Sequence, residues 1–400
     1  LKKILNFPDK FFSLNSIRLN EYLAKTISGL EAVLAAELEE LGAKEVRALT
    51  RAVSFRGDKR LMYHANYTCR TALRILVPLL TFEIKDQKDF YDQVFTFSWN
   101  EYIDPSQTLA VDAVISFSVF TNSQYVSQKA KDAIVDRLRE KSGKRPSVDL
   151  DNPDLRVNIH LYKNLCTVSL DSSGSTLNKR GYRKTAGPAP INEVLAAGLL
   201  RLSGWDKQTS VLDPMCGSGT FLIETAMSCR NIPAGYLRHG YGFMKWKDFD
   251  PDLWKSVKEE ADNRILQKCT PVLGRDRAGR AISAALENIT TAGLEKDIRL
   301  EQSSFEDSNP SSPGRFIIMN PPYDERLRLD DNIAFYKMIG NVLKRQYIGC
   351  KAWIISADLE AIKFLGLKPS KKFIVYNGPL ECLFEGFDLY EGKKVFNTPR

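Results

Sequence analysis

The chain has 400 residues, more than one hydrophobic core ordinarily organises, so two or three domains are expected. Hydrophobic residues make up 43% and charged residues 26%, and no stretch approaches the ~20 apolar residues that a membrane-spanning helix requires, which excludes a membrane protein of that kind. The net charge of +8 favours an anionic partner such as nucleic acid over an acidic protein surface.

The opening "LKKILNFPDKFF" carries basic residues, but Asn6, Pro8 and Asp9 interrupt its apolar run, so no signal peptide is expected. Residues 28–46, "SGLEAVLAAELEELGAKEV", predict a helix. Ser28 and Glu31 have capping-box spacing, Leu30, Val33, Leu34, Leu38 and Leu41 form its apolar stripe, and Gly42 ends it. A second helical stretch, "KRLMYHANYTCRTALRIL", follows between short β-like runs. Together they predict an α+β module over residues 1–75. The outer face of its first helix is acidic, so nucleic acid is not expected there.

A second unit is expected over residues 76–172. "TLAVDAVISFSVF" reads as a strand and "NSQYVSQKAKDAIVDRLREKSG" as a helix. "LRVNIHLYKNLCTVSL" reads as two strands, because Val157, Ile159 and Leu161 alternate with Asn158, His160 and Tyr162. The helix carries Lys129, Lys131, Arg137, Arg139 and Lys141, either a solvated face or a phosphate-tracking one. Residues 173–190 form a Ser/Gly/Pro-rich linker with a basic knot, Lys179, Arg180, Arg183 and Lys184, around Tyr182. Cations beside an aromatic ring suit an RNA backbone with a stacked base, whereas a plain charged linker is the simpler reading.

From residue 191 to residue 400 helices alternate with short apolar strands. "SVLDPMCGSGT", "PVLGRD", "IRLEQSSF", "RFIIMNPPY", "KAWIISAD", "KFIVYNG" and "CLFEGFDLY" are the strand candidates. This pattern predicts a doubly wound α/β domain whose last two strands close as an antiparallel hairpin.

In such a sheet the ligand sits at the carboxyl ends of the strands. Gly217 and Gly219 follow the first strand, where glycine lets the backbone turn sharply and approach a ligand. Asp213 ends that strand and can receive an ammonium group or an ordered water. Asp276 ends the next, where an acid accepts from ribose hydroxyls. The spacing is neither the G-x-G-x-x-G of a dinucleotide site nor a phosphate loop, so a nucleoside cofactor is the expectation. Seven scattered cysteines lack any C-x-x-C pair, and the three histidines form no cluster. No metal is expected, and a reducing, cytoplasmic location is.

"NPPY" supplies a second piece of chemistry. An exocyclic amine on a base is a poor nucleophile, because its lone pair is delocalised into the ring. Acceptors held at its N–H groups draw the nitrogen towards tetrahedral geometry. Asn320 offers a side-chain carbonyl and Pro321 a main-chain one. Pro321 and Pro322 remove donors and fix φ, and Tyr323 offers a stacking face.

"LDPMCGSGT" with "NPPY" resembles the S-adenosylmethionine-dependent amino-methyltransferases. With "LNKRGYRKTAGPAPINEVLAAGLL", "YGFMKW", "YNGPLEC" and "QKAKDAIVD", the resemblance narrows to the THUMP-domain rRNA guanine-N2 methyltransferases, the RlmL-like group acting on 23S rRNA. It covers residues 20 to 390 or so. It implies a ferredoxin-like module, a THUMP RNA-binding domain and a Rossmann-like class I methyltransferase domain. It also implies S-adenosylmethionine held by Asp213, Pro214, Met215, Cys216, Gly217, Ser218, Gly219 and Thr220, with Asp276 and Arg277 at the ribose and Ser304 and Phe305 near the adenine. RNA would meet Lys129, Lys131, Lys179, Arg180, Tyr182 and Arg183. The carboxylate that meets the adenine amine in this family is absent from "EQSSFED", leaving Ser304, the main chain or Asp307 to replace it. The fused form carries a second methyltransferase after this region, so one modification is expected of this chain. Alternatives are a tRNA guanine-N2 or nucleic-acid adenine-N6 methyltransferase, a glutamine methylase of proteins, or an RNA-binding assembly factor without catalysis.

Overall fold

Two sheets organise the chain, and the computed structural model describes them through residues 19–185, 190–307, 314–322 and 329–391. The N-terminal half contains β1 (Asn20–Lys25), α1 (Glu31–Glu40), β2 (Lys44–Leu49), β3 (Ala52–Gly57), α2 (Lys59–Thr68) and β4 (Arg74–Glu83). It continues with α3 (Gln87–Thr96), β5 (Thr108–Ser116), α4 (Ser123–Ser142), β6 (Ser147–Val148), β7 (Leu155–Tyr162) and β8 (Leu165–Asp171). These strands form one eight-stranded sheet in the order β2-β3-β1-β4-β8-β7-β5-β6. The boundary read at residues 75 and 76 therefore falls inside a strand. β4 pairs with β1 through Arg74–Leu76 and with β8 from Leu76 onwards, so both modules share it. A register shift between Pro78 and Leu80, where Pro78 has no N–H to donate, re-aims β4 into the second module.

α1 is shorter than its sequence reads. Leu30, not Ser28, takes the N-cap position without a side-chain cap, and the Glu31 carboxylate accepts from the Gly29 amide at 2.8 Å and the Arg51 amide at 2.9 Å. Gly42, at φ +90°, lets the chain reverse after the helix, and residues 44–49 become β2. Glu37 is not on an acidic outer face. It is buried, and it accepts from the Thr71 amide at 2.9 Å and the Thr71 hydroxyl while pairing with Arg201 of the next domain at 3.3 Å.

The C-terminal half contains α5 (Glu193–Leu202), β9 (Val211–Asp213), α6 (Thr220–Cys229), α7 (Pro251–Asp262), β10 (Val272–Asp276), α8 (Gly279–Ala292) and β11 (Ile298–Gln302). Then come β12 (Phe316–Met319), α9 (Leu329–Gln346), β13 (Lys351–Ser356), β14 (Lys371–Asn377) and β15 (Leu380–Asp388). The sheet order is β11-β10-β9-β12-β13-β15-β14, parallel except for β15, which runs antiparallel to both neighbours. The strands are apolar on both faces because both are covered. Leu212, Ile317 and Met319 pack towards Tyr336 and Ile339 of α9, while Val211, Phe316 and Ile318 pack towards Val194 and Leu195 of α5.

Two segments bind the halves together. Residues 230–262 form a clasp between α6 and β10. Phe243 stacks on Tyr63 at 4.3 Å, Asp262 accepts from the Tyr67 hydroxyl at 2.6 Å, and Lys247 donates to the Asn100 carbonyl of the second module at 2.9 Å. The second segment is the stretch read as a basic linker, and several of its side chains are threaded into the interior. Leu177, Arg180 and Tyr182 are buried, and Arg238 donates to the carbonyls of Ser175, Thr176 and Lys179 at 2.9–3.0 Å.

Candidate active site

The strand order reverses between β9 and β12, and there the two chemical motifs meet. Phe316 and Ile317 pair in parallel with Val211 and Leu212, so Asp213 and Asn320 leave the same edge of the sheet on adjacent strands. Continuing that register sets Asn320 two residues beyond the level of Asp213. A crevice at such a switch point is where open α/β sheets bind ligands.

The turn after β9 is built to expose its backbone. Gly217 and Gly219 hold φ of +53° and +82°, which other residues reach only under strain. A Cβ at Gly217 would meet nothing within 4 Å, so the open side of the turn begins there. A Cβ at Gly219 would press on Ala285 of α8 at 3.2 Å, so helix packing also requires that glycine. The side chains of the turn face inward. Pro214 and Cys216 are buried, Met215 is half-buried against the α9 core, and the Ser218 and Thr220 hydroxyls accept from Arg183 at 3.3 and 3.0 Å. The turn therefore presents main chain, not side chains, to a ligand.

Two carboxylates frame it. Asp276 accepts from the Gly217 amide at 3.0 Å and the Ala278 amide at 2.9 Å, which locks the turn onto the end of β10. Each oxygen retains lone pairs for ribose hydroxyls. Asp213 is buried and accepts from the Met215 amide at 3.1 Å. Burial pushes its carboxyl up to about 8, with the nearby Asp276 charge adding to the rise. Its ionised form can be met by a cation.

Other expected cofactor residues divide. Arg277 is exposed just after β10, and its carbonyl accepts from Gln302 at 3.2 Å. The Ser304 hydroxyl donates to Asp307 at 2.7 Å, so the two candidates for the missing adenine partner are joined to each other. Phe305 is buried, with its ring stacked on Tyr347 at 5.6 Å. Asn320 is half-buried, Pro321 buried and Pro322 exposed. Tyr323 lies outside the described residues.

The RNA-directed expectations also divide. Arg180 and Tyr182 are 2% and 1% exposed and both converge on the Glu224 carboxylate, at 3.4 and 3.0 Å, so neither can meet RNA on the surface. Arg183 is held by Glu193 at 2.6 Å and by the turn hydroxyls. Lys179 is exposed. Lys129 lies over the Tyr91 and Tyr125 rings, and Lys131 pairs with Asp132. Sequence reasoning missed Asn288 of α8, which donates to the Ser218 carbonyl at 3.0 Å and accepts from the Lys184 amide at 2.8 Å. Its signal was a polar residue inside the stripe of Ala284, Ala285 and Ile289.

Residues 180–385 match the family model described as RMKL-like, methyltransferase domain. Residues 85–171 match a THUMP domain and residues 21–76 the RlmL ferredoxin-like domain. A provisionally named RNA methyltransferase of Synechocystis sp. is 37% identical over 92% of this chain and 97% of its own. The chain belongs to this methyltransferase family. The ribosomal RNA large subunit methyltransferase K/L of Methylococcus capsulatus is 38% identical over 95% of this chain, and that of Syntrophotalea carbinolica 36% over 93%. The chain spans about half of each, 52% and 54%. Among solved structures, a provisionally named methyltransferase in complex with SAH is 29% identical, with a TM-score of 0.84 over 94% of this chain and 99% of that one.

As a member of the RMKL-like methyltransferases the chain is S-adenosylmethionine-dependent, and its residues fit that molecule. The open turn at Gly217, the buried Asp213 and the strand-ending Asp276 match a nucleoside that also carries an ammonium group. Among the described residues no three His, Cys, Asp or Glu side chains gather as a metal site, and no helix is long and apolar enough to cross a membrane.

Proposed function

We propose that the chain methylates the exocyclic N2 amine of a guanine in 23S rRNA, as a cytoplasmic enzyme. The observation that carries this reading is the adjacency of Asp213 and Asn320 at the β9/β12 switch point, downstream of a THUMP domain. When bound, S-adenosylmethionine supplies an electrophilic methyl group. The chain supplies position. Asp213 and the turn main chain hold the amino-acid end, and Asp276 holds the ribose. The Asn320 side-chain carbonyl and the Pro321 main-chain carbonyl accept from the base amine, keeping its lone pair aimed at the methyl group. Pro321 and Pro322 offer no N–H that would compete. The nitrogen becomes acidic as it gains the methyl group, so its proton leaves to water without a strong base.

Support for large-subunit ribosomal RNA comes from relatives about twice this length, guanine N2 is what the RlmL-like resemblance implies, and the test separates those terms. Purified protein is offered 23S rRNA, tRNA, DNA and a glutamine-containing release factor with labelled cofactor, and modified guanines are mass-mapped in rRNA from cells with and without the protein. Label in N2-methylguanine of 23S rRNA alone is the expected result. Label confined to adenine, tRNA or protein would replace this reading.

A further inference from the structure

We propose that the outer face of the eight-stranded sheet, from Lys25 to the Phe117–Tyr162 ring pair, is a docking track for an unpaired stretch of RNA. The proposal rests on RNA being the substrate and adds where, and in what form, the strand is held.

Val157, Ile159 and Leu161 of β7 are fully buried in the core that also contains Val126, Ala130 and Ile134 of α4. The alternate residues Asn158, His160 and Tyr162 point to the opposite face. In register, Val114 of β5 and Thr167 of β8 flank His160, and Ser116 and Leu165 flank Tyr162, so all of them share that face. Its polar residues alternate with apolar ones that are open to solvent. Val114 is 51% exposed, Tyr162 and Leu165 45%, and Phe117, just past the end of β5, 85%.

Phe117 and Lys163 sit side by side with φ of +52° and +56°. The Lys163 amide donates to the Ser116 carbonyl at 2.9 Å and ties the two turns together. The Phe117 ring meets Tyr162 edge-on at 6.0 Å and 85°, and the Lys163 ammonium lies 5.6 Å from the Tyr162 centroid. Left-handed backbone suits glycine or asparagine, so a phenyl ring there costs stability. That ring is almost wholly in water, where it contributes nothing to the core. An aromatic pair with a cation beside it is a stacking platform for bases.

The other end of the track is cationic. Lys25, at the end of β1, shares the outer face with Arg74, which pairs with Asp171. Among the described residues, no carboxylate pairs with the side chain of Lys25 or Arg51. Burial together with Arg51 lowers Lys25, and burial together with Lys25 lowers His160. Lys25 and Arg51, close together and without a carboxylate of their own among the described residues, suit a phosphate. On α4, by contrast, Lys131 and Arg137 already have carboxylate partners in Asp132 and Glu140. His160 and Tyr162 are about 7 Å apart along one strand face, which sets the ring pair one step beyond His160, and Lys25 lies three strands away on β1.

The test uses the full chain with a 23S rRNA transcript, an RNA single strand of about a dozen nucleotides, and a duplex of equal length. Phe117→Asn with Tyr162→Ala is expected to weaken single-strand binding about tenfold or more, without loss of thermal stability at the Phe117→Asn site. Lys25→Gln with Arg51→Gln is expected to lower the slope of log affinity against log salt by roughly one to two. Cofactor binding should hold in both double variants. If wild-type protein binds and methylates RNA and these variants match it, the track is wrong. It is equally wrong if only Arg139→Ala, Lys144→Ala and Arg145→Ala on and after α4 lose binding, or if wild type prefers the duplex. Should wild type neither bind nor methylate any RNA, the substrate reading itself fails and the track with it.

Discussion

The Arg183 guanidinium donates to the Thr220 hydroxyl at 3.0 Å and to the Ser218 hydroxyl at 3.3 Å, holding both residues that flank Gly219. Its Nε meets Glu193 at 2.6 Å, so one planar fork joins α5 to the cofactor turn. Arg183→Gln keeps the length and loses the fork. Cofactor affinity should fall about tenfold, or ~1.4 kcal/mol, while RNA affinity stays within about twofold. Titration calorimetry with S-adenosylhomocysteine and an RNA filter assay check the two halves. Loss of RNA affinity alone would return Arg183 to the surface role its composition suggests.

Arg180 makes a different prediction. Its guanidinium reaches the buried Glu224 carboxylate at 3.4 Å and the Leu177 carbonyl at 2.8 Å. Removing one partner of a buried pair leaves a charge without compensation, at a cost of about 3–5 kcal/mol. Arg180→Met should therefore shift the urea midpoint strongly, and Glu224→Gln in the same chain should recover part of it. The exposed Lys179 should behave in the opposite way. Lys179→Ala leaves stability unchanged and, if it contacts a phosphate, lowers the salt slope of RNA binding by roughly 0.7–0.9.

Asp213 ties cofactor binding to pH. Its carboxyl, pushed up to about 8 by burial, is mostly protonated in the cofactor-free protein at neutral pH. A folded-state value above the unfolded one means the folded chain binds the extra proton. The associated stability is complete below about pH 4 and is lost as pH rises through about 8. Between about pH 5 and 7, wild type should lose up to ~1.4 kcal/mol per pH unit relative to Asp213→Asn. Cofactor binding should strengthen towards pH 8 in wild type, as the carboxylate forms to meet the ammonium group, and should be weak and flat in the variant. Parallel pH profiles of melting and of titration would expose a failure of either trend.

Much of this architecture was legible because it is local. The apolar strands, the glycine turn and the closing hairpin each announce themselves within ten residues or so, and β14 pairs antiparallel with β15 as its short connection requires. What was not legible is tertiary. Arg180 and Tyr182 look like a surface motif because Glu224, their common partner, lies more than forty residues away. The helix expected from Ser28 to Gly42 covers only Glu31–Glu40, and the pairing of β2 with β3 that follows it is a partner choice that the local sequence does not name. Asn288 reads as an ordinary interruption of a helix stripe until the Ser218 carbonyl appears opposite it. Buried polar groups take their meaning from partners, and partners come with the fold.

Asn320 carries the sharpest prediction about chemistry. Its role is to accept from the base amine, so the decisive comparison is between losing the acceptor and changing its charge. Asn320→Ala removes the side-chain carbonyl and should lower kcat by about a hundredfold to a thousandfold, the usual cost of one aligned group at a transition state. Affinities for cofactor and RNA should stay near wild type, because Gly217, Asp213 and the N-terminal sheet are untouched. Asn320→Asp keeps an acceptor oxygen, replaces the amide donor with a second one and adds a negative charge, so it should retain more turnover than the alanine variant. If Asn320 served instead as a donor, the order would reverse and the aspartate variant would be the weaker enzyme. Single-turnover rates at saturating cofactor and RNA separate these outcomes, since neither substitution then acts through binding.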